Sequence, residues 1–159
     1  MIRVLFVCLG NICRSPTAHG VLLSKIRERR LQSRVEVDSA GTAAWHTGKA
    51  PDPRSQQAAA GRGYDLSALR ARQAVADDFR HFDYVLAMDE ENLLNLNRLY
   101  PGEGPEPELF LQRFGRRFNV REVPDPYYGG DTGFQHVLDL IEDACDGLLD
   151  DIEDRLKRA

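Results

Sequence analysis

Cys8 and Arg14 are separated by five residues in the stretch VCLGNICRSP, and between them lie Leu9, Gly10, Asn11, Ile12 and Cys13. A thiol, a small loop and a guanidinium at that separation can hold an oxyanion. Successive backbone N–H groups of a curled loop converge into an anion-binding nest. Gly10 and Asn11 are the residues best able to take left-handed backbone angles within it. A helix starting near Ser15 would aim its free N–H groups and positive dipole at the same point, while Arg14 would close on two phosphate oxygens with a planar fork. Positive surroundings of that kind favour thiolate over thiol and make Cys8 a nucleophile, and Ser15 would donate a hydrogen bond to the sulfur. The chemistry that fits is attack of sulfur on phosphorus. Amides and guanidinium would stabilise charge on the equatorial oxygens, with no metal or other cofactor required.

A leaving oxygen departing from phosphorus needs a proton. Asp125, in VPDPYYGGD, is the candidate acid: Pro124 and Pro126 stiffen its loop and keep it out of helical geometry. Taken alone, an aspartate between prolines is a turn residue; its pairing with the cysteine loop is what makes it a site candidate. Tyr127 and Tyr128 follow and would wall a deep cleft and stack on an aromatic substrate. The other thiols read differently. Cys13 is either loop packing or a redox-active side chain, and Cys145 falls on the apolar face of the last helix as core.

The elements that must position these groups follow from pattern. Residues 2–8, apolar but for Arg3, predict a buried strand. Ser15 as N-cap and Pro16 at the first helical position predict a helix with Val21, Leu22 and Ile26 inward. A strand is expected over 35–41, then a helix from about residue 53 stopped by Gly61 and Gly63. Phe82 to Met88 reads as a strand, and Asp89 as the cap of a helix with Glu90 and Glu91 in its first turn, closed by Pro101. ELFLQRF holds a short helix or strand, and NVREVPDP a last short strand. The final helix carries Phe134, Val137, Leu138, Ile141, Cys145, Leu148, Ile152 and Leu156 at three- and four-residue spacing, with Asp131 as its cap. Strands alternating with helices imply one doubly wound domain with parallel pairing. Ligands then sit where strands hand over to helices, and the Cys8 loop is such a junction.

The chain has 159 residues, 42% hydrophobic and 29% charged, as in an ordinary soluble domain. Its formal charge of −4 disfavours general nucleic-acid binding. The longest apolar run, Val4 to Leu9, is too short to insert in a membrane, and the N-terminus lacks a secretory pattern. Three cysteines suit a reducing cytoplasm. Oligomeric state is left open, with a monomer as the default.

VCLGNICRSPTA, DSAGTAAWHTG, MDEENL and DPYYGG, in that order through essentially the whole chain, resemble the low-molecular-weight protein tyrosine phosphatases. The resemblance implies a flavodoxin-like doubly wound sheet of four parallel strands with helices on both faces. It implies hydrolysis of tyrosine-phosphorylated proteins through a phosphocysteine intermediate. Carried to this chain, Cys8 is the nucleophile, Arg14 the phosphate clamp, and Asp125 the acid of the first step and base of the second. Asn11 holds the loop in shape, Ser15 tunes the thiol, and Trp45, Tyr127 and Tyr128 grip the substrate ring. The resemblance also implies that Cys13 can form a protective disulfide with Cys8. One feature departs from the pattern. Some relatives have a histidine in the stretch matching DLSALRARQ that tethers the loop through the asparagine; this chain has none between 65 and 73, which leaves Ser39 as the expected substitute.

Other readings are weaker. GTAAWHTGKA fails the phosphate-loop spacing of nucleotide-binding proteins. His19, His46, His81 and His136 lack metal-ligand spacing and read as surface residues, with His46 the one near the cleft. Asp89 reads equally as a cap or as a group beside the loop, and residues 142–153 as a solvated acidic face. A thiol-dependent arsenate reductase would need a further cysteine pair. A noncatalytic phosphotyrosine-binding module would need neither thiol nor acid.

Overall fold

Ile2–Cys8 form β1, whose apolar run from Val4 to Cys8 is explained by burial on both faces. Val4, Phe6 and Cys8 point into one cluster and Leu5 and Val7 into another. The structure, a computed structural model, describes residues 1–127 and 131–158. Along the chain follow α1 (Arg14–Glu28), β2 (Val35–Gly41), α2 (Pro53–Ala60), α3 (Asp78–His81), β3 (Tyr84–Ala87), α4 (Glu90–Leu99), β4 (Glu108–Leu109), α5 (Phe110–Phe114) and α6 (Asp131–Arg158). The sheet order is β2-β1-β3-β4 with every pair parallel. Helices α1, α5 and α6 cover one face through Val21, Leu22, Ile26, Phe110, Ile141 and Leu148. Phe79 of α3 and Leu96 of α4 cover the other. Among the described residues no helix is long and apolar enough to cross a membrane.

Parallel pairing brings the ends of three strands to one edge. Cys8 is level with Gly41 of β2, and Val7 with Ala87 of β3. The loops after Cys8, Gly41 and Ala87 therefore share one end of the sheet. Gly41 is required there: a Cβ would lie 2.7 Å from the Leu9 carbonyl oxygen.

Several expectations need correction. Helix α1 begins at Arg14, with Cys13 in the capping position and no side-chain cap, so Ser15 is inside the first turn and its hydroxyl is used elsewhere. Pro16 is tolerated because first-turn N–H groups have no intrahelical acceptor. NVREVPDP forms no strand. Among the described residues its one bond toward the sheet is the Val123 N–H to Met88 O (2.8 Å), just past the end of β3, and the flanking prolines bring no donors to extend a ladder. The fourth strand is instead the two-residue β4, which runs straight into α5. His19 is buried at 8% exposure rather than on the surface. The acidic stretch of α6 is not simply solvated: Asp143 accepts the N–H groups of Arg116 and Arg117, and Arg29 pairs with Asp150 and Glu153. Asp131 is the first residue of α6, but its expected capping side chain lies outside the described atoms, as Tyr128 lies outside the described residues.

Candidate active site

The loop from Leu9 to Cys13 turns back over the end of β1. Asn11 makes this possible with a left-handed φ of 58°, at the modest cost that asparagine bears in that region. Gly10 does not share the left-handed conformation. Its value is space, since a Cβ would meet the His46 ring at 2.9 Å. With this turn the Asn11 N–H donates to Cys8 Sγ (3.3 Å), and Ser15 Oγ lies 3.0 Å from the same sulfur.

The expected tether through Ser39 is not what holds the loop. Ser39 pairs with His19 Nδ1 at 3.0 Å. Asn11 Oδ1 instead accepts the backbone N–H of Arg72 (3.0 Å), and its Nδ2 donates to Ser15 Oγ (2.8 Å). The Arg72 guanidinium is itself clamped by Asp38 and by two bonds of 3.1 Å to Asp78. A main-chain donor from residue 72 thus holds the Asn11 side chain, the role expected of Ser39.

Arg14 is almost completely buried, its side chain 3% exposed. Its Nη1 donates to Asp89 Oδ2 (2.7 Å) and to the Val123 carbonyl (3.0 Å), while Nη2 stands 3.8 Å from Asp125 Oδ2. Among the described residues every hydrogen bond of this guanidinium comes from Nη1, so the Nε–Nη2 side is left as the fork for an oxyanion. Burial alone would lower its pKa, yet Cys8, Asp89 and Asp125 together hold it above the usual arginine value. Asp89 proves to be both cap and site residue: Oδ1 accepts the Asn92 N–H of α4 while Oδ2 holds Arg14.

These groups line a cavity of about 170 Å³ whose walls include Cys8, Leu9, Gly10, Ile12, Cys13, Arg14, Trp45, His46, Asp125 and Tyr127. Asn11 and Ser15 lie behind the wall, 3% and 0% exposed. Asp125 is more open, its side chain 38% exposed, and accepts the Tyr127 N–H at 3.0 Å. Cys13 sits beside Ser55, and burial pushes its thiol up to about 12. Cys145 is fully buried in α6, as expected. Two supports escaped the sequence reading. Asp52 anchors the loop through its N–H to Ile12 O (2.8 Å), and Arg54, paired with Asp52, lies over the Tyr127 and Phe134 rings at 5.3 and 5.0 Å. The sequence signal was the Asp-Pro-Arg at the start of α2, which reads only as a cap.

Residues 3–158 match the sequence profile of the low molecular weight phosphotyrosine protein phosphatases. The chain belongs to that family. The low molecular weight phosphotyrosine protein phosphatase of Schizosaccharomyces pombe is 42% identical, over 95% of this chain and 97% of that protein. The low molecular weight protein-tyrosine-phosphatase of Streptomyces coelicolor is 40% identical, over 98% and 96% respectively. A crystal structure of the protein tyrosine phosphatase of Entamoeba histolytica, with Hepes in the active site, superposes with a TM-score of 0.92. It is 39% identical and covers 97% of this chain and 98% of that one. The chain is therefore a protein-tyrosine-phosphatase built on the four-stranded parallel sheet that the resemblance implied.

Proposed function

We propose that the protein hydrolyses phosphotyrosine in protein substrates through a phosphocysteine at Cys8, without a metal. The substrate ring enters between Trp45 and Tyr127, and the phosphoryl group settles into the loop from Leu9 to Cys13. Cys8 Sγ attacks phosphorus as the tyrosine oxygen leaves, and Asp125 passes its proton to that oxygen. Water then attacks the phosphocysteine, giving a proton to Asp125 and returning the sulfur as thiolate, so the enzyme ends as it began. Through both displacements the loop amides and the Arg14 fork take up the equatorial charge, the task a divalent cation performs in other phosphoryl transfers.

The observation that carries this reading is the convergence of the Asn11 N–H and the Ser15 hydroxyl on Cys8 Sγ beside a guanidinium left with a free fork. Three buried, unpaired cysteines accord with action in the cytoplasm. Hydrolysis of para-nitrophenyl phosphate with EDTA present tests it. Turnover persists in the unmodified protein and disappears in Cys8→Ser; activity retained by that variant removes the nucleophile. Asp125→Ala slows esters of poor leaving groups far more than those of good ones. Equal losses for both would contradict proton donation.

A further inference from the structure

Leu9 and Trp45 line the catalytic cavity and also the wall of a second, wider groove of about 490 Å³. Trp45 is 70% exposed and stands as a partition between the two. A phosphotyrosine ring in the cavity covers one side of that indole only. Its other side belongs to the groove, whose apolar wall continues through Ala74, Leu96 and Leu99.

We propose that this groove receives the substrate polypeptide next to the phosphotyrosine and selects an apolar side chain there. The proposal rests on the phosphotyrosine phosphatase reading above. A phosphotyrosine in a protein brings its neighbours with it, and a chain leaving the cavity over the Trp45 partition runs directly into the groove. The charges at the groove argue for an apolar occupant, because Glu91 and Arg98 are of opposite sign and offer no net attraction to either charge. Trp45 and the half-buried Leu99 instead present apolar surface that gains from being covered, over a floor of Ala74 and Leu96 that is already buried. The amides of Asn95 and Gln73 flank it, the latter already directed to Thr42 O at 3.2 Å, and both can bond to an extended backbone.

The test compares steady-state hydrolysis of two phosphotyrosyl peptides, one with leucine and one with aspartate flanking the phosphotyrosine, with that of para-nitrophenyl phosphate. Asn95→Trp fills the groove, and Leu99→Ala trims its wall without adding bulk. The unmodified enzyme prefers the leucine peptide. Asn95→Trp raises KM for that peptide about tenfold, the scale of one lost apolar side-chain contact. Its kcat and its hydrolysis of para-nitrophenyl phosphate stay unchanged within about twofold, and Leu99→Ala weakens the preference for leucine over aspartate. If both variants alter peptide and small ester alike, or neither variant changes the preference, the proposal is overturned. A concentration-dependent dimer that Asn95→Trp dissociates assigns the groove to a second copy of the chain and overturns it as well. Absence of turnover of every substrate by the unmodified protein would remove the phosphatase reading itself.

Discussion

Arg72 donates its backbone N–H to Asn11 Oδ1, and this one bond fixes the direction of every hydrogen bond from there to the sulfur. A backbone N–H can only donate, so the oxygen of the Asn11 amide must face it and the NH₂ must face Ser15. Ser15 Oγ therefore accepts from Asn11, and its own proton has two acceptors in reach, Cys8 Sγ at 3.0 Å and Ala40 O at 3.4 Å. The shorter contact and the negative charge on a thiolate both direct the proton to sulfur. Hydrogen bonds to charged groups contribute about 1.5–3 kcal/mol, so Ser15→Ala is expected to slow turnover roughly 10- to 100-fold. Asn11→Asp is the sharper variant. A carboxylate still accepts from Arg72 but takes the Ser15 proton instead of giving one, so the rate falls as far as in Ser15→Ala. The double variant is no slower than the worse single one, because both break the same relay. Full activity in Asn11→Asp, measured on para-nitrophenyl phosphate, would show that the relay does not reach the sulfur. The Ser15 hydrogen bond to sulfur was legible beforehand, but the Arg72 tether was not, since a main-chain donor carries no residue signature; the missing histidine in 65–73 said only that something else must fill the role.

At the scale of elements, hydropathy pattern marked what was long and repetitive. Strands β1 and β2, α2 and the inward face of α6 stand where spacing put them. ELFLQRF, read only as a short helix or strand, holds both β4 and α5, since two residues are too short for any alternation to tell them apart; α3, a single turn, was not legible. His19 could have been read as inward-facing. It shares a helical stripe with Leu22 and Ile26, three and seven positions on, and all three are buried in α1. Its burial has a consequence for stability. Desolvation holds the imidazole pKa below its ordinary 6.5, with Asp38 partly opposing. The fold thus keeps His19 neutral where the unfolded chain would take a proton. The associated stability is fully present above about pH 6.5 and is lost as pH falls below that value. Melting temperature should drop from pH 7.5 to pH 5.5, and His19→Gln, which keeps a partner for Ser39 but cannot titrate, should drop by less. Parallel slopes for the two proteins would mean that His19 plays no part in the acid limb.

For the whole molecule, the topology assembles one cavity from distant parts of the chain: the turn after β1, Trp45 after β2 and Asp125 ahead of α6, with Asp89 after β3 holding the Arg14 that lines it. Cys8, Arg14 and Ser15 were legible because the loop that joins them is local and its residue types suit only a few purposes. Asp125 was legible from its prolines and its tyrosines, but its position 3.8 Å from the Arg14 guanidinium needed the sheet to bring it there. The groove beyond Trp45 was not legible at all, being built from the turns after β1 and β2, α4 and the segment around residue 74, with no motif in common. The central claim, a covalent phosphoryl group on sulfur, is tested most directly by stopping the reaction with acid within milliseconds of mixing. The peptide that bears the phosphoryl group is then identified by mass spectrometry, in the unmodified enzyme and in Asp125→Ala turning over para-nitrophenyl phosphate. The account predicts a phosphoryl group on Cys8, at higher occupancy in Asp125→Ala because the hydrolytic step loses its base. Turnover with no phosphoryl group on Cys8 in either protein, or with the group on another residue, would contradict it.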